Sequence, residues 1–281
     1  MIYNFFINPY FTFSLKLKNE DYYLVVYNDW NGNFHHCINE TVLLLELYML
    51  FLNKYENIKI LIKNNKKKNY PNFFKYYIDE LPESKIFYTN NLKLIKGNFV
   101  YINPLNAENI KFTEIYSIQN RLLTLELINK ANKKYNTYTK HNKIYISRRN
   151  LINKSWHNRY LTNIQEVSEF IIKQGYKEIF TNEIDDFLYQ IYLINNCENI
   201  IAELGAGCDN IVFMNKNSHL TIFGINNEAS ENWIKRFYLY NNNVKITKKL
   251  YGEIDKKSKF YSDNIINKAN YPYKYNLKYL Q

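Results

Sequence analysis

The sequence predicts an α/β protein, and two observations carry that expectation. Segments of strand type and of helix type alternate cleanly through the second half of the chain, which is the pattern of parallel βαβ units. The length of 281 residues suits one large domain or two modest ones, and 46% hydrophobic with 17% aromatic residues suits a packed core. A polar, unpatterned stretch at 135–142 predicts a boundary, so we expect domains 1–138 and 139–250 and a tail 251–281.

The first half reads as strands with three helices, of which the segment His36–Leu52 has the clearest helical spacing of apolar residues. Pro71 suits the first turn of a second helix that reaches about Glu80, and a third is expected over Thr113–Lys134. Runs rich in Phe, Tyr, Val and Ile predict the strands, which are Phe11–Leu17, Tyr22–Tyr27, Ile58–Ile62, Lys85–Tyr88, Leu92–Ile95 and Phe99–Ile102.

In the second half, Asn163 with Glu166 three residues later predicts a capped helix, and Gly175 predicts its end. The expected strands are Lys143–Ser147, Glu178–Phe180, Asn199–Ala202 and Leu220–Phe223. The expected helices are Ile164–Gln174, Asp186–Asn195, Asp209–Met214 and Ala229–Tyr240. Beyond residue 250 we expect a short terminal helix or strap.

The formal net charge of +11 suggests a nucleic-acid partner, but the kind of basic residue argues against one. Asn, Ile, Lys and Tyr, all encoded by AT-rich codons, supply about half of the chain, so base composition accounts for the lysines. Only five of the 37 basic residues are arginines, although phosphate binding favours the bidentate guanidinium. A basic nucleic-acid-binding protein is therefore the weakest alternative, and each surviving arginine carries more information than usual.

Three cysteines without metal-ligand spacing indicate reduced thiols. The start lacks the basic residues of a signal peptide. The longest apolar run, Thr41–Leu52, is shorter than the roughly 20 residues that span a bilayer. We therefore expect a cytoplasmic protein with no integral membrane segment. Asp185 and Asp186 open a helix, where acids are ordinary, and we expect no metal.

A glycine turn follows the apolar strand Asn199–Ala202 and leads into a helix, as Gly205-Ala206-Gly207. Glycines let a backbone approach a ligand, helix amino-terminal amides bind anions, and parallel sheets bind ligands at their carboxyl ends. The turn alone leaves two alternatives open, a phosphate site or a tight connection without a ligand. The turn lacks the third glycine of the dinucleotide-binding fingerprint, so the sequence does not support that kind of site.

An arginine-rich loop follows the strand Lys143–Ser147. Three of the five arginines, Arg148, Arg149 and Arg159, fall within twelve residues of one another. Planar, permanently charged guanidinium groups suit a diphosphate. A solvated loop is the alternative, and the scarcity of arginine favours the binding site.

Two histidines, His35 and His36, stand at the opening of the first-half helix, with Glu40 one turn further on. A histidine beside a carboxylate can act as a general base. By themselves, histidines at such a position are more often packing or capping residues. His35, His36 and Cys37 do not have the spacing of zinc ligands.

Taken in order, these motifs resemble glycosyltransferase family 61. The family pattern is a strand followed by Ser-Arg, then Arg-x-x-x-Asn-x-x-Glu, a Gln on the next helix, and His-Gly-Ala-Gly-x-x-Asn. It also has an upstream Asn-x-x-His at a helix start. The matching segments are Asn33–His36, Ile144–Arg149, Asn158–Asn163 with Glu166, Gly175–Tyr176, Tyr189–Gln190 and Gly205–Asn210 with Phe213. Leu204 stands where the family has histidine.

The resemblance implies a GT-B fold, with two Rossmann-like domains facing across a cleft. It implies an inverting transfer of a sugar from a nucleotide sugar, here a UDP-sugar, to a hydroxyl of a glycan or protein, without a metal or other cofactor. His36 is then the expected base, with Glu40 as the runner-up or orienting group. The expected donor-binding residues are Arg148, Arg159, Phe180, Glu183, Gln190, Gly205, Ala206, Gly207 and Asn210. Because of Leu204, a degenerate glycosyltransferase fold that binds or scaffolds is the main alternative.

Overall fold

The computed structural model of the protein describes residues 2–4, 21–26, 33–53, 55–63, 71–89, 98–101, 121–151, 161–241, 243–262 and 271–281. The chain divides into two compact units, Met1–Lys130 and Ala131–Gln281. The division falls inside a helix, Leu122–Lys134, and not in the polar stretch after it where the sequence predicts a boundary. That stretch, 135–142, packs with the second unit, since the hydroxyl of Tyr192 donates to the carbonyl of Tyr138.

The first unit is built on a five-stranded sheet whose described pairings are all parallel. The strand order is β1-β5-β2-β3-β4. The strands are β1 (Ile2–Asn4), β2 (Tyr22–Val26), β3 (Ile58–Lys63), β4 (Ile86–Thr89) and β5 (Asn98–Tyr101). Tyr22, Leu24 and Val26 are buried on one face of β2, in the segment whose tyrosines and valines predict a strand.

The helix predicted over His36–Leu52 is present but is not a uniform α-helix. Its segments are α1 (Phe34–His36), a π-helical turn (Cys37–Thr41), α2 (Val42–Leu47) and a second π-helical turn (Tyr48–Leu52). The short helix α3 (Phe74–Ile78) follows, three residues after Pro71. Periodicity near 3.6 residues cannot distinguish an α-turn from a π-turn, so this difference lies beyond sequence reasoning.

Helix α4 (Leu122–Lys134) begins against a buried carboxylate of the first unit. Glu46 accepts hydrogen bonds from the backbone N–H groups of Leu123 and Thr124 at 2.8 and 2.9 Å, and from the hydroxyl of Thr124 at 2.8 Å. Burial raises the pKa of Glu46, and these hydrogen bonds oppose the rise. The carboxylate thus supplies acceptors to amides that a helix leaves unpaired at its start.

The second unit carries a six-stranded sheet in the order β11-β10-β9-β8-β6-β7, parallel except for the pair β10–β11. Its strands are β6 (Lys143–Ile146), β7 (Lys177–Ile179), β8 (Asn199–Glu203), β9 (His219–Ile225), β10 (Lys245–Ile254) and β11 (Tyr273–Lys274). Its longer helices are α5 (Ile164–Lys173), α6 (Phe187–Asn195), α7 (Glu228–Tyr240) and a 3-10 helix (Ala206–Phe213). The βαβ alternation predicted for this half is therefore present.

Helix α5 ends as predicted but starts differently. Gly175 follows it with a φ of 85°, the left-handed conformation that glycine adopts readily. The side chain of Asn163 makes no cap hydrogen bond to the helix. Its side-chain amide instead pairs with the backbone of Tyr275 through two hydrogen bonds of 2.9 Å. The Asn163 Nδ2 donates to the carbonyl of Tyr275, and the Asn163 Oδ1 accepts from the N–H of Tyr275. The Asn163 side chain, which the sequence assigns to a helix cap, therefore binds a residue more than a hundred positions away.

The segment 251–281, predicted as a tail, is part of the second unit. Strand β10 continues to Ile254, and β11 pairs with it through Ile254 and Tyr273. Tyr273 and Tyr275 are buried against Tyr145, Phe223 and residues of α5. The sequence of β10 is rich in lysine and shows no local apolar alternation, so the strand is not predicted from it. The strand is defined by its pairing with β9.

Several predictions fall on residues outside the described set. These are the strands Phe11–Leu17 and Leu92–Ile95, the first part of the helix Thr113–Lys134, and Arg159. Within the described part of the chain, no helix combines the length and the apolar character needed to cross a membrane.

Candidate active site

Three strands of the second sheet end side by side, and the predicted donor-binding loops follow them. Ile146 of β6 pairs with Ile179 of β7 on one side and with Ala202 of β8 on the other. The backbone N–H of Ser147 then donates to the carbonyl of Ile179 at 3.0 Å. The arginine loop, the Phe180–Glu183 loop and the glycine turn therefore begin at one carboxyl edge of a parallel sheet, where α/β folds bind ligands.

The two described arginines of the loop have different surroundings. Arg149 is engaged within the protein, since its guanidinium donates to Glu178 at 2.5 Å and to Gln165 at 3.1 Å. Arg148 is only partly exposed, and its Nη1 atom is buried without a hydrogen-bond partner among the described residues. An unpaired buried donor on a charged group is costly. Arg148 is thus the arginine of this pair that is available to an anionic ligand.

The loops after β6 and β7 are joined by a residue that sequence reasoning missed. The side-chain amide of Asn150 donates to Asn182 at 3.1 Å and to Glu183 at 2.6 Å. Phe180, the residue after β7, is partly exposed. In a chain so rich in asparagine, no local pattern distinguishes Asn150 from the others. The contact depends on two segments separated by more than thirty residues.

The glycine turn lies directly against the strand that leads to Arg148. A Cβ atom built on Gly207 would lie 3.1 Å from Cγ2 of Ile146, so the turn lies close against β6 and a larger residue would push the Ile146 side chain by a few tenths of an ångström. The first backbone hydrogen bond of the 3-10 helix runs from Cys208 N–H to Gly205 O. The amides of Ala206 and Gly207 precede that bond, and both residues are partly exposed. They are candidate donors to an anion at the sheet edge.

Gln190 and Asn210 face the interior of the unit. They are 5% and 1% exposed, and the amide of Gln190 donates to Oδ1 of Asn210 at 2.7 Å. Asn210 in turn donates to the carbonyl of Gly207 at 2.9 Å. This chain of hydrogen bonds runs from helix α6 to the glycine turn. The geometry favours a supporting role for both residues over direct contact with a ligand.

Leu204 is part of the apolar packing behind the turn. Leu204 is 4% exposed, and a Cβ atom built on Gly224 would lie 3.3 Å from the Cβ atom of Leu204. A leucine at this position offers neither a proton nor a hydrogen bond from its side chain. Whatever a histidine does here in related chains is not done by this side chain.

The first unit contains the predicted histidine–carboxylate pair. Nδ1 of His36 lies 2.6 Å from Oε1 of Glu40, and the two side chains are 33% and 11% exposed. The π-helical turn starts immediately after His36. Asn33 caps the helix by accepting from the N–H of His35 at 2.9 Å, and His35 itself is buried. His36 is therefore the partly exposed histidine of the two, and Glu40 is placed to orient it.

Asp186, which precedes α6, is held by hydrogen bonds within the protein. Asp186 accepts from the N–H of Leu188 at 2.9 Å and binds Lys134 and Tyr135, each at 2.5 Å. Burial raises the pKa of Asp186, but the hydrogen bonds from Lys134 and Tyr135 outweigh it, so the pKa lies below the usual 3.8. Among the described residues, no three His, Cys, Asp or Glu side chains cluster as metal ligands do.

The comparison with protein families decides which family this chain represents. The family model Glycosyltransferase 61 matches residues 34–221, which include His36, Arg148 and the glycine turn. The chain belongs to glycosyltransferase family 61. The resemblance predicted from the motifs is thereby confirmed. A search of curated proteins found no match. For this family 61 chain, the matched range ends before β10 and β11, so the C-terminal contacts lie beyond it.

Proposed function

We propose that the protein is an inverting, metal-independent glycosyltransferase that moves a sugar from a UDP-sugar to a hydroxyl of a glycan or protein. The observation that carries the proposal is Arg148, whose buried Nη1 has no partner among the described residues at the sheet edge. The amides of Ala206 and Gly207 follow the adjoining strand, and Gly207 packs on β6 two residues before Arg148. A cation and free amides together suit the diphosphate of a nucleotide sugar.

In the proposed donor site, Arg148 and the turn amides compensate the charge that develops on the leaving diphosphate. Arg159 joins them as a second cation. The loop Phe180–Glu183 holds the nucleoside, and Gln190 and Asn210 keep the turn in place through their mutual hydrogen bond. In the proposed GT-B arrangement the second unit binds the donor and the first unit binds the acceptor.

In the proposed reaction, His36 is the general base. Glu40 engages Nδ1, so the proton on that nitrogen faces the carboxylate and Nε2 carries the lone pair. Nε2 takes the proton of the acceptor hydroxyl while the hydroxyl oxygen forms the bond to the anomeric carbon. The bond between that carbon and the diphosphate oxygen breaks at the same time, and UDP departs with the electron pair. A single displacement of this kind inverts the anomeric configuration.

Leu204 supports one alternative function, a family 61 fold that binds a nucleotide sugar without turning it over. Its side chain is buried in apolar packing and replaces a polar histidine of the family pattern. This alternative retains the donor site and loses the chemistry. Binding of UDP without release of UDP from any UDP-sugar, with a broad acceptor panel, would favour it.

The test is a thermal-shift panel of UDP, GDP and CMP with their common sugar conjugates. A nucleotide at one hundred times its dissociation constant adds about 2.7 kcal/mol, a rise of several degrees for a unit of this size. Arg148→Ala should weaken binding by roughly tenfold or more, because a charged hydrogen bond contributes about 1.5–3 kcal/mol. Arg149→Gln is the matched control, since Arg149 pairs with Glu178. Equal binding by wild type and Arg148→Ala would remove Arg148 from the site.

A further inference from the structure

A cavity of about 650 Å³ lies in the second unit, at the edge of the sheet opposite the donor loops. Its lining includes the first residues of three neighbouring parallel strands, Asn199 of β8, His219 of β9 and Lys245 of β10. His219 pairs in register with both of the others, so the three strand starts lie side by side. The arginine loop and the glycine turn follow the carboxyl ends of β6 and β8, so this amino-edge cavity is a separate feature of the same unit.

Backbone pairing fixes the wall of the amino-edge cavity. The N–H of His219 donates to the carbonyl of Glu198 at 2.7 Å. The N–H of Lys245 donates to the carbonyl of Ser218 at 2.8 Å, and the hydroxyl of Ser218 donates to the carbonyl of Cys197 at 3.0 Å. All five residues line the cavity. A ligand therefore meets a surface that is already paired, which lowers the cost of ordering the site on binding.

Three lysines line the cavity, and they are Lys140, Lys216 and Lys245. Glu198 is the single acid among the described lining residues. None of the three ammonium groups forms a hydrogen bond or an ion pair with a residue that the structure describes. The base composition that accounts for the number of lysines does not place three of them around one cavity. The amino-edge cavity thus carries an excess of positive charge, which attracts anions.

The positive charge acts on the histidine of the cavity. Burial lowers the pKa of His219, and the charges of Lys245 and Lys249 lower it further. Nε2 of His219 lies 2.6 Å from the hydroxyl oxygen of Thr247, which holds the ring beside β10. The imidazole is therefore neutral at pH 7, and the lysines supply the charge.

Three side-chain amides line the same cavity, those of Asn142, Asn199 and Asn217. Within the described part of the chain, none of these amides has a hydrogen-bond partner. An amide both donates and accepts hydrogen bonds, as the hydroxyl of a sugar does. The described lining contains no Phe, Tyr or Trp, so affinity here comes from charge and hydrogen bonds and not from stacking on a large ring.

The size of the cavity favours a ligand larger than a single anion. Pockets that hold molecules of drug size measure about 300–1,000 Å³, and the amino-edge cavity falls in that range. A lone phosphate would leave most of the lysines and amides in contact with water. A ligand with several negative groups and several hydroxyls matches both kinds of side chain at once.

We propose that the amino-edge cavity binds an acidic oligosaccharide, whose carboxylates meet the lysine ammonium groups and whose hydroxyls meet the asparagine amides. The site is distinct from the donor site, and the inference holds whether or not the chain transfers a sugar. Because the three lysines are exposed, each contributes a modest and salt-dependent share of the affinity.

The probe is the trisaccharide of galacturonic acid, and its methyl ester is the uncharged ligand with the same backbone. In calorimetry at low salt, the acid should bind at least about tenfold more tightly than the ester, and added salt should weaken its binding. Lys216→Gln combined with Lys245→Gln should weaken binding of the acid roughly three- to tenfold. The matched control is Lys256→Gln with Lys257→Gln, two exposed lysines beyond the other end of β10, which should change the affinity less than about twofold.

The outcomes separate the site from general charge and from the donor site. Equal weakening by the two lysine pairs, or no binding of the acid by wild type, would overturn the inference. So would tripolyphosphate or a uridine oligonucleotide of similar charge that binds more tightly and depends on Lys216 and Lys245. Arg148→Ala should leave binding of the trisaccharide unchanged. Failure of UDP to bind would overturn the proposed function and leave this inference standing.

Discussion

Replacing Gln190 with leucine breaks the hydrogen bond that links helix α6 to the glycine turn. Leucine is close to glutamine in size, so the substitution removes the amide without opening a large cavity. Asn210 keeps its own bond to the carbonyl of Gly207, but its Oδ1 loses the donor at 2.7 Å. That oxygen belongs to a residue that is 1% exposed, so water cannot replace the lost donor without rearrangement.

The magnitude follows from this burial. A typical hydrogen bond contributes about 1 kcal/mol net, while leaving a buried acceptor unpaired costs about 1–3 kcal/mol. We therefore expect Gln190→Leu to lower the free energy of unfolding by about 1–3 kcal/mol. For the 151-residue unit Ala131–Gln281 this corresponds to a Tm lower by about 2–12 °C.

The assay is thermal unfolding followed by circular dichroism at several scan rates, with Gln174→Leu as the matched control. Gln174 is an exposed glutamine at the end of α5, so the same chemical change there should stay within about 0.5 kcal/mol. If Gln190→Leu is as stable as Gln174→Leu, the Gln190–Asn210 pair does not hold the turn, and the reasoning from burial is wrong.

Two further predictions concern protonation. His36→Ala should lower the release of UDP from a UDP-sugar in the presence of acceptor by about 100-fold or more, with little change in Tm, because a general base contributes about that much and the side chain is partly exposed. A lower Tm with preserved activity per folded molecule would instead mark His36 as structural. Asp186, with its lowered pKa, should stabilise the protein above pH 3.8 and lose that contribution as the pH falls through the folded-state pKa. The Tm difference between wild type and Asp186→Asn should therefore shrink on acidification, and a difference that stays constant down to pH 3 would contradict the role of Lys134.

The second half of the chain was predictable because its signals are local. The strand–helix alternation, the end of α5 at Gly175 and the glycine turn each depend on residues that are neighbours in sequence. The periodicity of apolar residues predicts the helices, and the backbone freedom of glycine predicts the turn. The meeting of the arginine loop and the glycine turn at one edge also follows from local signals, because parallel strands end at the same side of a sheet.

What the sequence did not predict has the opposite origin. Asn163 has the sequence of a cap but binds the backbone of Tyr275. The sequence predicts no strand at Lys245–Ile254, yet β10 forms there by pairing with β9. Arg148 and Arg149 are adjacent residues of one type, and only the assembled structure shows that Arg149 pairs with Glu178 and Gln165. In each case the deciding partner is distant along the chain, so no window of the sequence contains the information.

The sequence by itself determined the family, the α/β class and the order of the candidate site residues, since motif spacing and periodicity are properties of short segments. The tertiary structure alone decided which of those side chains face outward and which are buried as support. It turned Gln190 and Asn210 inward, left Arg148 unpaired at Nη1 among the described residues, and brought Tyr273 to Glu203. The physical reason is that burial and hydrogen-bond pairing depend on which segments share a sheet edge, and that is settled only when the strands are assembled.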